Sequence, residues 1–349
     1  MLQASDDVLW HAYDLAMLDL DGVVYVGPQA VPGAAQHLAR ARDAGMTLAF
    51  VTNNASRTPG DVAAHLRELG VEAVDDDVVT SAQAAARLLR ERLPDGSAVF
   101  VIGGRGLEVA LAERGLRPVR DRDAGPVAVV SGFARDVSWG RVMDGAMLVR
   151  DGLPWVASNT DLTVPTPHGP GPGNGMLVGV VARFSERTPD VAGKPEPPLF
   201  AETLRRVGGR RPLVVGDRID TDIEGARRGG YDSLLVMTGV TGAAELAEVP
   251  PRLRPSYVGA DLGALAVRHD APVVARPGSV DVAGWTATVR DGVVRLRGEG
   301  DRHAWWQALA VAAWQHLDTA GSPVDVSQVV APGTVAAEDG PVDRKRGEA

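Results

Sequence analysis

Short apolar runs alternate with segments of helical spacing from residue 13 to about residue 265. The runs are bounded by turn residues, a pattern typical of strands buried on both faces of a parallel sheet. We predict strands at 15–18, 47–51, 98–102, 127–131, 155–158, 213–215 and 233–237, helices at 34–44, 61–69, 82–92, 107–114, 141–149, 198–207 and 223–228, and a last element at 257–266. This alternation predicts an α/β fold with a doubly wound, Rossmann-like parallel sheet.

Residues 81–185 repeat the alternation as a unit of their own, and the first pattern resumes after Asp190. We therefore predict a split core unit of residues 1–80 and 186–268, interrupted by an inserted α/β unit of residues 81–185. Between Asp161 and Gly175 the insert carries a segment rich in proline and glycine, which we interpret as a loop that is either functional or mobile. Its glycines do not follow a strand directly, so they do not form a dinucleotide-binding turn.

The pattern changes beyond residue 272. Two strand-like segments, 285–289 and 293–297, flank Asp291-Gly292, which is a strong signal for a β-hairpin. Residues 303–317 form a predicted helix that is apolar almost all round, so it should be buried on more than one side. We predict a small C-terminal α+β domain at 272–333 and a disordered tail at 334–349.

The amino-acid composition limits the classes of partner and cofactor that we expect. A formal charge of −9 argues against nucleic acid or an anionic membrane as a partner. The chain contains no cysteine, so any metal must be held by oxygen ligands or histidine, which favours Mg²⁺. Because the sequence shows neither a signal peptide nor a long uncharged apolar stretch, we expect a cytoplasmic protein without membrane insertion.

Two carboxylates, Asp19 and Asp21, follow the predicted strand 15–18 directly. Buried carboxylates are costly unless a cation or hydrogen-bond donors compensate their charge, so the pair suggests a cation site. An ordinary Asp-Gly turn is the simpler alternative. A calcium-binding EF-hand loop is excluded, because Val23, Val24 and Ala30 stand where it needs an oxygen ligand, a glycine and a second oxygen ligand.

Other predicted strands also end in polar residues. Thr52-Asn53-Asn54 follows strand 47–51, Asp217 and Asp222 follow strand 213–215, and Lys194 precedes helix 198–207. Taken singly, the hydroxyl, amide and carboxylate groups are equally typical of helix caps, and the lysine of a solvated surface. Because ligands bind at the carboxyl ends of parallel strands, the set together predicts one site.

In order along the chain, Asp19-Leu20-Asp21-Gly22-Val23, Thr52-Asn53-Asn54, Gly193-Lys194-Pro195 and Gly216-Asp217 through Asp222 resemble the four motifs of the haloacid dehalogenase superfamily of phosphatases. The insert is similar to the α/β cap of the NagD-like branch. The layout most resembles glycerol 3-phosphate phosphatases of mycobacteria, whose C-terminal domain looks like a truncated acetyltransferase fold. No glycine-rich acyl-CoA loop is present here, so we expect no acetyl transfer.

The resemblance implies a role for each motif residue. Asp19 would be the nucleophile that forms an aspartyl-phosphate, and Asp21 the general acid and base. Mg²⁺ would be held by the carboxylates of Asp19 and Asp217 and by the Asp21 backbone carbonyl. The phosphate would be bound by Thr52, Asn53, Asn54 and Lys194, and Asp222 would orient Lys194 or metal-bound water.

The resemblance also implies a small phosphorylated metabolite as substrate, read by a cap that closes over the core. Asn159, Asp161 and the proline- and glycine-rich segment are the candidate cap residues. Val164 occupies the position of a histidine found in pyridoxal phosphatases, which favours a polyol phosphate, above all glycerol 3-phosphate. Pyridoxal phosphate, a sugar phosphate or a nucleotide are alternative substrates, a metabolite-binding regulator is an alternative function, and related caps often form homodimers.

Overall fold

The computed structural model describes residues 1–166, 168–276 and 278–332, so the predicted disordered tail 334–349 lies outside the described residues. Its central layer is a parallel sheet, called here the core sheet. In spatial order the core sheet consists of Tyr257–Gly259, Asp232–Val236, Pro212–Gly216, Leu15–Leu18, Thr47–Thr52 and Val78–Thr80. Neighbouring strands run parallel throughout, which confirms the predicted fold class.

Both faces of the core sheet are covered, as expected for a doubly wound fold. Along Leu15–Leu18 alternate side chains enter two different cores: Leu18 contacts one cluster together with Phe50, and Met17 contacts the other together with Phe200. The helices on the first face are Leu9–Ala12, Ala34–Asp43 and Pro59–Glu68, and those on the second face are Ser81–Arg90, Pro198–Val207 and Glu224–Gly229.

A second parallel sheet, the cap sheet, is built largely from the insert. In spatial order it consists of Asp190–Val191, Trp155–Ala157, Ala128–Ser131, Ala98–Ile102 and Arg117–Val119. Helix Arg105–Glu113 covers one face, and helices Trp139–Arg150 and Asn174–Ser185 cover the other. Strand Asp190–Val191 pairs with the cap sheet although it lies beyond the boundary at 185 that we predict from the sequence.

The proline- and glycine-rich segment differs from the predicted loop. It contains an antiparallel pair of short strands, Thr163–Thr166 and Gly169–Pro172, and leads directly into helix Asn174–Ser185. The prediction was wrong here because proline and glycine are normally depleted in strands, and because glycines 175 and 179 weaken the helical signal. Residues of the hairpin line a cavity together with core residues.

The C-terminal residues form an antiparallel sheet of Val273–Arg276, Ser279–Val282, Trp285–Arg290 and Val293–Gly298. The predicted hairpin is confirmed, since its turn residues Asp291 and Gly292 both have positive φ angles, 51° and 75°. Helix Arg302–Ala320 packs between this sheet and the core-sheet strand Tyr257–Gly259, with Ala243–Ala247 alongside. Burial of this helix on more than one side is therefore confirmed as well.

Strands Tyr25–Val26 and Gln29–Ala30 form a short antiparallel pair after the first core strand. Within the described ranges, no helix combines the length and the apolar character needed to cross a membrane.

Candidate active site

The carboxyl edge of the core sheet gathers the predicted site residues. Asp19 directly follows strand Leu15–Leu18, Thr52 ends the neighbouring strand Thr47–Thr52, and Asp217 directly follows the neighbour on the other side, Pro212–Gly216. Because these strands are adjacent and parallel, their ends meet at one edge. The strand order therefore brings together three of the four predicted motifs.

Lys194 contributes the fourth motif from the loop that leads back from the cap to the core. Its Nζ lies 2.7 Å from Asp19 Oδ1, 2.7 Å from Asp222 Oδ1 and 3.3 Å from the carbonyl oxygen of Val51. The side chain is only 2% exposed. Burial disfavours the charged amine, but the two carboxylates outweigh burial and raise the pKa of Lys194, so the amine is charged.

Asp19, Asp217 and Asp222 form a cluster in which each residue offers a carboxylate oxygen within 4.8 Å of the others. Asp217 is completely buried, and its Oδ2 accepts a hydrogen bond of 2.6 Å from the Val240 N–H. Its Oδ1 has no hydrogen-bond partner among the described residues. Burial, together with the charges of Asp222 and Asp19, raises the pKa of Asp217. An unpartnered buried carboxylate oxygen is costly, so the cluster is suited to a cation.

Glycines enclose the Asp217 carboxylate tightly. A Cβ atom at Gly239 would lie 2.0 Å from Asp217 Oδ2, and one at Gly22 would lie 2.3 Å from the same atom. Gly22 also has a φ angle of 82°, which side chains rarely tolerate. Both positions therefore require glycine if Asp217 is to keep its place.

Asp21 faces the same cavity as Asp19. Asp21 is solvent-exposed, yet desolvation by the surrounding protein and, second, the negative charge of Asp19 raise its pKa to about 6. Asp222 is fully buried, and burial raises its pKa while the contact with Lys194 opposes the shift. The two carboxylates differ in setting, since Asp222 is held by Lys194 and Asp21 remains open to a ligand.

The loop 52–54 is held together by its own side chains. The Thr52 hydroxyl accepts a hydrogen bond from Asn54 N–H at 3.1 Å, and Asn54 Oδ1 accepts from the N–H groups of Ser56 and Arg57 at 2.9 and 3.0 Å. Asn53 Oδ1 accepts from Lys194 N–H at 2.8 Å, while its Nδ2 donates to Lys194 O at 3.0 Å. The carbonyl groups of both asparagine side chains are thus engaged in shaping the loop, and Asn53 positions Lys194.

A cavity of about 540 Å³ lies above these residues, between core and cap. Its cap wall includes both predicted cap residues, Asn159 and Asp161, together with the loop residue Phe133, the hairpin residue Val164 and the helix residue Asn174. All eight predicted site residues are near this cavity, and Asp222 supports it from behind Lys194.

Sequence reasoning missed several cavity residues. Val240 acts through its backbone N–H, which leaves no side-chain signal, and Asn174 begins a helix hidden by glycines. Arg218 lines the cavity inside a recognised motif and pairs with Asp220 at 3.0 and 2.6 Å. Only its charge and its neighbours in the motif could have indicated it.

Comparisons with known families agree with this geometry. Residues 16–117 match the haloacid dehalogenase-like hydrolase family, and residues 191–265 match a second family of hydrolases of the same type. The two matches fall on either side of most of the insert and include the motifs around Asp19, Thr52, Lys194 and Asp217.

Individual relatives extend the similarity. The D-glycerol 3-phosphate phosphatase of Mycobacterium tuberculosis is 43% identical over 309 residues, which cover 87% of this chain and 86% of the relative. The acid sugar phosphatase of Staphylococcus epidermidis is 35% identical over 243 residues, 68% of this chain and 93% of the relative.

Solved structures show the same relationship. The crystal structure of the M. tuberculosis glycerol phosphate phosphatase in complex with magnesium superposes with a TM-score of 0.79 at 41% identity, covering 88% of this chain and 92% of that one. NagD from E. coli K-12 superposes with a TM-score of 0.65 at 30% identity, covering 71% and 96%. The chain therefore belongs to the haloacid dehalogenase-like hydrolases, within their NagD-like branch of phosphatases.

Proposed function

We propose that the protein is a Mg²⁺-dependent phosphomonoesterase that hydrolyses glycerol 3-phosphate through an aspartyl-phosphate on Asp19. One observation carries this proposal. Asp19 lies 2.7 Å from a buried lysine and belongs to the same carboxylate cluster as an unpartnered Asp217 oxygen, at the base of a cavity large enough for a small ester.

The donor set fits Mg²⁺. The residues available are oxygen donors, in a chain without cysteine, and the unpartnered Asp217 Oδ1 needs a cationic partner. The carboxylates of Asp19 and Asp217 and the backbone carbonyl of Asp21 would hold the ion. When bound, Mg²⁺ supplies positive charge that offsets the repulsion between the carboxylates and the phosphate.

Asp19 is the proposed nucleophile. One of its oxygens attacks phosphorus, the bond from phosphorus to the ester oxygen breaks, and the alcohol departs with a proton from Asp21. With a pKa of about 6, Asp21 can hold a proton in the first step and accept one from water in the second, when the aspartyl-phosphate is hydrolysed.

Lys194 offsets negative charge at the site, and its neighbours hold it in position. Two unit charges 4 Å apart interact by about 4 kcal/mol at an effective dielectric of 20, so a phosphate approaching Asp19 needs Lys194 close by. Asp222 and Asn53 keep Lys194 in place through its Nζ and its backbone. Thr52 and the backbone of Asn53 and Asn54 are the proposed phosphate contacts of the loop.

The substrate is proposed from the relatives and from the cavity. The M. tuberculosis enzyme named for glycerol 3-phosphate aligns with this chain across 87% of its length, including the C-terminal region. A sugar phosphate is the second candidate, because the staphylococcal acid sugar phosphatase is 35% identical over 68% of this chain. The homodimer and the cytoplasmic location stay predictions.

The test is phosphate release from glycerol 3-phosphate, pyridoxal phosphate, sugar phosphates and nucleotides, with Mg²⁺ or with excess chelator. We expect the highest kcat/KM for glycerol 3-phosphate and loss of turnover with chelator. Turnover of none of the esters, with binding retained, would instead favour a metabolite-binding regulator.

A further inference from the structure

Asp161 connects the cap to the loop 52–54 of the core. Its carboxylate oxygens lie 3.2 and 3.1 Å from Asn53 Nδ2. The same Nδ2 lies 3.0 Å from the backbone oxygen of Lys194, whose Nζ contacts Asp19. A single amide group therefore separates this cap carboxylate from the lysine at the reaction centre.

The neighbouring cap residues serve to hold Asp161. Asn159 Nδ2 donates to Asn53 O at 2.6 Å, and Asn159 Oδ1 accepts from Asp161 N–H at 3.1 Å. Asn174 Nδ2 donates to Asn159 O at 2.6 Å. Since a carbonyl oxygen can only accept, this contact fixes the Asn174 amide, and its buried Oδ1 is left without a partner among the described residues.

Asp161 retains capacity to accept hydrogen bonds. A carboxylate has about four acceptor positions, and the Asn53 amide is its side-chain donor. Burial and, to a smaller extent, the negative charge of Asp19 raise the pKa of Asp161. The hydrogen bond from Asn53 and the positive charges of Lys194 and Arg218 oppose this shift. Arg218 also lines the cavity and uses two of its five N–H donors on Asp220. Asp161, with its remaining acceptor positions, lines the same cavity.

We propose that Asp161 reads the alcohol part of the substrate: it accepts hydrogen bonds from the hydroxyl groups of a neutral polyol and repels phosphate esters that carry a second negative charge beside the phosphate. The inference rests on the proposed phosphatase function. A carboxylate beside a phosphate site is unfavourable unless the ligand brings donors, and polyol hydroxyls are such donors. The same charge makes an ester with a carboxylate a poor ligand.

Glycerol 3-phosphate and 3-phosphoglycerate form a matched pair for the test, because a carboxylate in the second replaces the terminal hydroxymethyl group of the first. The Asp161→Asn variant keeps an oxygen for Asn53 but removes the charge. We expect the ratio of kcat/KM for glycerol 3-phosphate over 3-phosphoglycerate to fall by roughly 10- to 100-fold, as for the loss of a hydrogen bond to a charged group. Asp136→Asn, at an exposed position of the cap, is the matched control and should leave the ratio unchanged.

4-Nitrophenyl phosphate has no hydroxyl group, so its hydrolysis reports on the phosphatase function separately from the role of Asp161. If the wild type hydrolyses neither this ester nor glycerol 3-phosphate with Mg²⁺, the proposed phosphatase function fails. If the wild type hydrolyses it but the ratio in Asp161→Asn equals the wild-type ratio, the role of Asp161 is refuted. Should Asp161→Asn fail to fold, Asp161→Ser serves in the same comparison, with the same expected fall and the same refuting result.

Discussion

Two buried polar regions of this protein differ in how completely their groups are paired. The first is the carboxylate cluster of Asp19, Asp217 and Asp222 with Lys194. The second, called here the C-terminal seam, lies where helix Arg302–Ala320 meets the core and consists of Arg254, His269, His303, Gln307 and Trp314. In the cluster a buried oxygen lacks a partner among the described residues, whereas the seam groups have partners.

Each polar group of the seam has a hydrogen-bond partner close to it in space. Gln307 Nε2 lies 3.1 Å from Val258 O and 3.0 Å from His269 Nδ1, and His269 Nε2 lies 3.0 Å from Ala264 O. Because a carbonyl only accepts, Nε2 of His269 carries the proton, and because the Gln307 amide NH2 only donates, Nδ1 accepts and the ring is neutral. Arg254 binds Asp318 at 2.7 Å, and Trp314 Nε1 donates to Leu246 O at 2.7 Å. Buried polar groups are normally paired, so the unpartnered oxygen of a buried carboxylate, Asp217 Oδ1, fits a cation site better than a purely structural role.

Asp19→Asn should have the largest effect. It removes the proposed nucleophile but keeps the side-chain volume, so turnover of glycerol 3-phosphate should fall at least about 1,000-fold while the fold is retained. Phosphate release and a thermal melt measure the two properties. Steady-state activity close to the wild-type value would refute nucleophilic catalysis by Asp19.

Trp314→Ala should lower the stability of the fold and leave the activity of the folded protein close to the wild-type value. This ring is 2% exposed, lies 5.1 Å from the Arg254 guanidinium and fills the seam. Truncation should lower the free energy of unfolding by about 3–5 kcal/mol, with kcat/KM per folded molecule close to wild type. Urea denaturation measures the loss. Trp139→Ala, at a 64% exposed cap position, is the control and should cost less than about 0.5 kcal/mol.

Gly239→Ala tests whether Asp217 is a metal ligand without changing a charged residue. The new Cβ would lie 2.0 Å from Asp217 Oδ2, so the carboxylate must move. We expect the Mg²⁺ concentration for half-maximal activity to rise roughly 10- to 100-fold, as for a change in the support of a metal ligand. Gly179→Ala, in a helix with open space around the glycine, is the control. Equal Mg²⁺ dependence in both variants would argue against Asp217 as a ligand.

The contrast between the regions also explains what the sequence could predict. Asp19, Thr52 and Asp217 follow strands that periodicity reveals, so their meeting at one sheet edge could be predicted from strand order. The unpartnered state of Asp217 Oδ1 could not, because it depends on where residues 239 and 240 return to the site.

The cap and the seam also contain features that local sequence could not predict. Helix Asn174–Ser185 was missed because its glycines weaken the local signal while packing against Trp139–Arg150 stabilises it. The apolar character of helix Arg302–Ala320 predicted burial, but the pairing of His269 with Gln307 joins residues far apart in sequence. Local pattern predicts elements, and tertiary contacts decide which polar groups are paired.

The smallest expected effect is a pH dependence of the seam. Burial and the nearby His303 lower the pKa of His269, although its hydrogen bond to Ala264 opposes the shift. Below the ordinary histidine pKa of about 6.5, the unfolded chain therefore binds a proton that the folded protein excludes, and stability falls as pH decreases. Between pH 6.5 and 5.5 this loss is at most about 1.4 kcal/mol for one histidine.

The measurement is the free energy of unfolding at pH 7.5 and 5.5 for the wild type and His269→Gln. Asp21, whose pKa is raised to about 6, contributes with the opposite sign, because the folded protein binds its proton more tightly than the unfolded chain. That contribution is present in both proteins and cancels in the difference between them. We expect the wild type to lose more stability on acidification than the variant. Equal losses would mean that the seam accepts a charged His269, so that its hydrogen bonds do not hold the ring in the neutral form.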